Sequence, residues 1–138
     1  MPSITDTAMQ FFMACEAGKG WAACSPYCAD GASFAAQAEP LAGVKTLAQY
    51  CDWMQGLMTV MTDGHYTLKS FATDAERNNV CAYAVFTGTH LAGGPIPPTG
   101  KTTNTDYVYV MQFDSAGKIS QMTKIWHSGL ALKELGWA

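Results

Sequence analysis

The stretch TTNTDYVYVMQFDSAGKISQMTKIWH, Thr102 to His127, decides the fold. It holds two strand-like runs rich in β-branched, aromatic or alternating apolar residues, joined by the turn-forming quartet Asp114-Ser115-Ala116-Gly117. The pattern predicts a long antiparallel hairpin. A lone hairpin is marginal in water, so further strands must flank it and helices must cover its apolar face.

Working back from the hairpin, Ala92 to Gly100 is a loop punctuated by glycine and proline, and Val80 to Leu91 is a near-continuous apolar strand. His65 to Thr73 alternates like a strand with one solvated face, and Asp74 to Asn79 is a polar turn. From Val44 to about Thr62 runs an amphipathic helix with Leu47, Tyr50, Cys51, Met54, Leu57, Met58 and Met61 on one stripe. Asp30-Gly31 reads as a turn leading into a strand, and Trp21 to Tyr27 as a short helical segment broken around Pro26. At the start, Ser3 and Asp6 form a capping-box pattern ahead of Ile4, Ala8, Phe11, Phe12 and Cys15 at helical spacing, with the helix ending near Gly18 and Gly20. After His127, Ala131 to Leu135 is a last short helical segment. The expectation is a single α+β domain over residues 1–138, in which a strongly curved antiparallel sheet wraps around N-terminal helices. Such an arrangement leaves an apolar hollow between sheet and helices, the usual place for a small ligand.

Composition narrows the partners. The net charge is −3, with 14% charged residues and no basic run, which argues against nucleic acid or an anionic membrane surface. Hydrophobic residues are 49% of the chain but dispersed, with no apolar run of about 18 residues to span a bilayer. The N-terminal MPSITDTAMQFF lacks the basic start and unbroken apolar core of a secretory signal, so a cytoplasmic location is expected. Cysteines at 15, 24, 28, 51 and 81 sit mostly among apolar neighbours and read as free buried thiols. Cys24 and Cys28 are one helical turn apart, but no His or Cys pair at finger spacing completes a metal site, so neither metal nor cofactor is expected.

The element order, the Asp-Gly-Ala-Ser segment after the second helix and the hairpin YVYVMQFDSAGKISQMTKIW resemble the nuclear transport factor 2-like superfamily, which covers ketosteroid isomerases and SnoaL-like polyketide cyclases. Thr87-Gly88-Thr89-His90 followed by Pro97-Pro98-Thr99-Gly100 is similar to the SnoaL-like and ester-cyclase group. Val108 and Val110, opposite in parity to Tyr109 and so on the exposed convex face, predict that the sheet pairs with a second subunit as a homodimer. The resemblance implies a cystatin-like cone and a small apolar or carbonyl-containing ligand. It implies either a cofactor-free cyclase or isomerase, or a non-catalytic module of the same fold.

Carried over position by position, the resemblance puts Phe11 where the isomerases hold an oxyanion-binding Tyr, and Ala36 where they hold a general-base carboxylate. The slot of their protonated Asp falls on Tyr109, whose phenol can still donate to an oxyanion. In the cyclases, the acid/base Asp of the final strand falls at or beside Lys124, and a strand His near Tyr109. None of the transferred carboxylates is present. Tyr109 and Lys124 are therefore the candidate catalytic pair, with Lys124 sharing a strand face with Met122 and Trp126 at period two. Phe11, Phe34, Tyr50, His90, Met111 and Trp126 are the candidate ligand-binding residues. If the hollow carries chemistry, Lys124 should be buried, close to Tyr109, and lowered in pKa.

Overall fold

The computed structural model describes Pro2 to Ala138. Helix α1 (Ile4–Glu16) opens on Ser3, whose hydroxyl accepts the Asp6 N–H at 3.1 Å. Its buried stripe is Ala8, Phe11, Phe12 and Cys15, and Glu16 is buried beside them. Helix α2 (Trp21–Cys24) is a single turn. Helix α3 (Leu47–Val60) begins on a reciprocal capping box between Thr46 and Gln49. It starts three residues later than the apolar pattern predicts, because the backbone of the preceding segment is engaged elsewhere. The Lys45 carbonyl accepts the Phe34 N–H at 2.8 Å, and Thr46 bridges Ser33.

Strands β1 (Cys28–Ala36), β2 (His65–Asp74), β3 (Asn79–Thr89), β4 (Thr102–Phe113) and β5 (Ile119–Trp126) form one sheet in the order β1-β5-β4-β3-β2. The pairs from β2 to β5 are antiparallel, as expected. The pair β1–β5 is parallel, with Phe34 opposite Met122 and Ala36 opposite Lys124, so the sheet is mixed. The Asp30-Gly31 turn also proves to be part of the strand. Gly31 sits at φ +69°, where the β1–β5 register shifts between Cys28 and Ser33, and it bends the strand as a bulge rather than ending it.

The central hairpin turns on Asp114, whose carboxylate accepts the Ala116 and Lys118 N–H groups at 2.9 and 3.0 Å. Along β4, Thr103, Thr105, Tyr107, Tyr109, Met111 and Phe113 alternate onto the buried concave face. Helix α4 (Ser128–Leu135) begins three residues before the predicted Ala131, because the His127 ring Nδ1 caps it by accepting the Leu130 N–H at 3.1 Å. Glu134 ties α4 to β4, accepting from the Thr103 hydroxyl at 2.8 Å and the Asn104 N–H at 3.0 Å. Helices α1 and α3 fill the concavity, with Phe12, Tyr50 and Tyr109 in edge-to-face contact at its centre. No helix of the described residues is long and apolar enough to cross a membrane.

Candidate functional site

A cavity lies between the concave face of the sheet, α3 and α4. Its volume is about 60 Å³. Most of its wall is apolar, including Trp53, Leu57, Met61, Phe86, Leu135 and Trp137, while Glu16, Lys124, Tyr107, Thr103 and Thr105 supply the polar groups. That mixture, an apolar lining with a few convergent polar groups, is what a small-molecule site requires.

Each polar group is there for a local reason. Glu16 is the last residue of α1 and lies four residues after Phe12, so helical periodicity carries its carboxyl onto the buried face. Tyr107 and Tyr109 occupy successive inward positions of β4. Lys124 is the cross-strand partner of Tyr109 in the β4–β5 ladder and is buried, with 6% of its surface exposed. Tyr50 comes down from α3 and is fully buried.

These groups form one hydrogen-bonded chain. The Lys124 Nζ donates to the Tyr50 hydroxyl at 3.0 Å. Tyr50 and Tyr109 share a short hydroxyl contact, and Tyr109 donates to Glu16 Oε2 at 2.7 Å. Tyr107 donates to Glu16 Oε1. An ammonium can only donate and a carboxylate can only accept, so with both ends charged the Tyr50 proton points at Tyr109. Lys124 and Glu16 thus communicate through two phenols, and no buried side-chain polar atom among the described residues lacks a partner.

Burial acts on the two ends in opposite directions. It pushes the Glu16 carboxyl up, against the Lys124 charge and the Tyr107 and Tyr109 hydroxyls that favour the carboxylate. The carbonyl end of α1 disfavours the anion further. Burial pulls the Lys124 ammonium down to about 8, with Glu16 resisting. Five rings also surround the ammonium, Trp126 closest at 4.5 Å from Nζ to ring centroid and Tyr109 farthest at 6.0 Å. Their faces favour the cation and work against the depression. The Tyr50, Tyr107 and Tyr109 phenols are all raised, first by burial and then by the Glu16 charge, so they remain protonated.

The sequence-derived candidates divide clearly. Trp126 and Lys124 are on the cavity wall. Tyr50 and Tyr109 stand behind it in the hydrogen-bonded chain, and Phe34 stacks on Tyr50 at 4.4 Å with the rings 10° apart. Phe11 and Met111 are fully buried core residues away from the wall. His90 is also off the wall. Its Nδ1 accepts from the Thr99 N–H at 3.2 Å and the Trp137 indole at 2.9 Å, so Nε2 carries the proton and donates to the Gly93 carbonyl at 2.6 Å. It pins the loop and the C-terminus together. Glu16 is the residue that sequence reasoning missed. A carboxylate does reach the hollow, although none stands in the slots that the resemblance would carry over. Its signal was present as the i+4 continuation of the Ala8-Phe12 stripe.

A family model described as a SnoaL-like domain matches residues 9–122. No curated protein sequence matches the chain. Among solved structures, IdmH of Streptomyces antibioticus, provisionally described as a polyketide cyclase, is 17% identical with a TM-score of 0.78, over 98% of this chain and 99% of that one. A protein from Jannaschia sp. CCS1, provisionally described as a SnoaL-like polyketide cyclase, is 14% identical with a TM-score of 0.79, over 98% and 92%. An NTF2-like protein from Burkholderia thailandensis is 18% identical with a TM-score of 0.76, over 97% and 98%. At these identities the likeness is one of fold.

Proposed function

The chain belongs to the SnoaL-like domain family, and from that premise we propose that it binds a compact, mostly apolar carbonyl compound in the cavity and moves a proton on it with its own side chains. One observation carries the reading. Glu16 and Lys124 are buried on the wall of one mostly apolar cavity, with their proton affinities displaced toward neutrality from opposite sides.

The roles follow from charge. Lys124, at about 8, is largely an ammonium at neutral pH and is suited to donate to a carbonyl oxygen as it becomes an enolate. Glu16 is a carboxylate made more basic by burial and is suited to take the proton from the adjacent carbon. One turnover of that kind leaves Glu16 protonated and Lys124 neutral. Tyr109 and Tyr50 then offer a route for the proton from Glu16 to Lys124, each phenol receiving one proton and passing on another. The cyclase descriptions of the fold relatives are compatible with enol chemistry.

A second reading, a pocket that binds without reacting, is favoured by one feature. Both Glu16 oxygens already accept tyrosine hydroxyls, which weakens the base.

The two readings separate in heavy water. Small apolar ketones incubated with the protein should exchange their α-protons for deuterium, followed by NMR. Glu16→Gln should slow that exchange by at least about a hundredfold while leaving ketone binding in place. Ketone binding without exchange in the wild-type protein would establish the second reading and end the first.

A further inference from the structure

Cys15, Cys24 and Cys51 come one each from α1, α2 and α3, and their sulfur atoms all lie within 4.8 Å of one another. Cys15 and Cys51 are 3.9 Å apart, sulfur to sulfur, and all three residues are fully buried. The spacing of Cys24 and Cys28, which drew attention in the sequence, is not what assembles this cluster. Cys28 turns its thiol to the Cys24 carbonyl at 3.6 Å, while Cys24 meets two thiols far away in the chain.

Three sulfurs each about 2.3 Å from one central atom stand at most about 4.0 Å from one another. The Cys15–Cys51 edge already meets that limit, and the other two edges need to close by less than about 1 Å. The donor set is sulfur alone, which selects a thiophilic centre and rejects ions that require oxygen ligands. A tetrahedral zinc site needs a fourth ligand, and among the described residues no further His, Cys, Asp or Glu joins the three buried sulfurs, which have no open side toward solvent. Charge narrows the class further. Three thiolates around a monovalent or divalent ion leave net negative charge in an apolar core, whereas three thiolates around a trivalent centre are neutral.

We infer that Cys15, Cys24 and Cys51 form a three-sulfur site for a trivalent thiophilic metalloid of the arsenous acid type. The exchange balances without an oxidant or a base. Arsenous acid carries three hydroxyls and each thiol one proton, so three arsenic–oxygen and three S–H bonds break, three arsenic–sulfur bonds form, and three waters leave. Arsenic stays trivalent throughout.

Access runs through α2. It is one turn of helix between Gly20, at φ +83°, and Pro26, with Ala22 exposed on its outer side. A tie from the Trp21 N–H to the Asp52 carboxylate at 3.0 Å holds it down. A segment so short, covering buried groups with so few bonds, is the part of the helical layer that opens at least cost. The inference stands apart from the proposed proton transfer and uses none of its residues.

The test uses native mass spectrometry of the full chain treated with arsenite under reducing conditions. The expected species is one arsenic per chain at the cost of three hydrogens, which identifies complete three-thiol exchange in the wild-type protein without any variant. The same adduct should persist in Cys81→Ser, since Cys81 lies outside the cluster, and be lost in Cys51→Ser with the circular dichroism spectrum unchanged. An absent adduct, an adduct retaining a hydroxyl, or full adduct formation in Cys51→Ser would overturn the assignment. Copper(I) binding stoichiometrically to the same thiols while arsenite does not would overturn the metalloid class.

Discussion

Lys124 and Tyr109 face one another across the β4–β5 ladder, yet the lysine hydrogen-bonds Tyr50 rather than its cross-strand partner. Tyr109 spends its own proton on Glu16. The strand pairing therefore places the two residues on one face, and α1 and α3 decide what each is bonded to.

Removing the Tyr109 hydroxyl separates structure from electrostatics. Tyr109→Phe leaves Glu16 Oε2 without a donor and Tyr50 without an acceptor, so it should destabilise the fold by about 1–3 kcal/mol in urea denaturation. It should also raise the Glu16 pKa further, since that hydroxyl favours the carboxylate. Carbon-detected NMR of the Glu16 carboxyl reads the second effect, and an unchanged titration would show that the tyrosine does not act on the acid.

The pH dependence of stability has two limbs of known sign. Lys124 falls from an ordinary 10.5 to about 8 on folding, so between those values the unfolded chain holds more protons and stability rises with pH. The full cost of the buried ammonium, about 3 kcal/mol, is present below pH 8 and is relieved by the time pH passes 10.5. Glu16 is raised on folding, so its contribution is fully present below its ordinary value of 4.5 and is lost as pH rises through the folded value. Subtracting the Lys124→Met profile from the wild-type profile should isolate the upper limb, and subtracting Glu16→Gln the lower. A Lys124→Met difference that is flat from pH 8 to 10.5 would refute the depression.

Replacing both ends of the chain should be kinder than replacing one. Lys124→Met alone removes the charge that favours the Glu16 carboxylate and leaves an uncompensated buried acid, whereas Lys124→Met with Glu16→Gln removes both desolvated charges. The double variant should be more stable than the sum of the single effects by about 0.5–3 kcal/mol in a double-mutant cycle. Additivity would mean that the phenol chain does not couple its ends.

His90 makes its three bonds to the 93–99 loop and to Trp137, so His90→Ala should act there and not on the cavity charges. Hydrogen exchange should accelerate from residue 91 to 101 and at the C-terminus, while the Lys124 titration stays near 8. Movement of the lysine titration would place His90 in the site after all.

The parts of this architecture legible in sequence are those with local signatures. The β4–β5 hairpin could be read from alternation and the Asp114 turn, and α3 from its stripe, because period and turn chemistry act within a few residues. The parallel β1–β5 pair could not, since no local residue pattern records which distant edge Phe34 will join. The same limit applies to the site. Lys124 and Tyr109 could be placed on one face by parity, but Glu16 meets Tyr107 from 91 positions away in the chain, and Cys15 meets Cys51 only once α1 and α3 pack. The cap that His127 forms on α4 was not legible either, because its geometry depends on a backbone turn that the His127 side chain itself completes.

The ring of aromatic side chains around Lys124 has an optical consequence. An indole whose centroid lies 4.5 Å from a positive charge emits in that charge's electric field, so Trp126 carries a built-in readout of whether the lysine holds its proton. Its fluorescence should step as pH crosses about 8, and the step should vanish in Lys124→Met. The protein then reports the ionisation of its own buried amine, and any guest that displaces or neutralises the ammonium should announce itself by colour shift without a label.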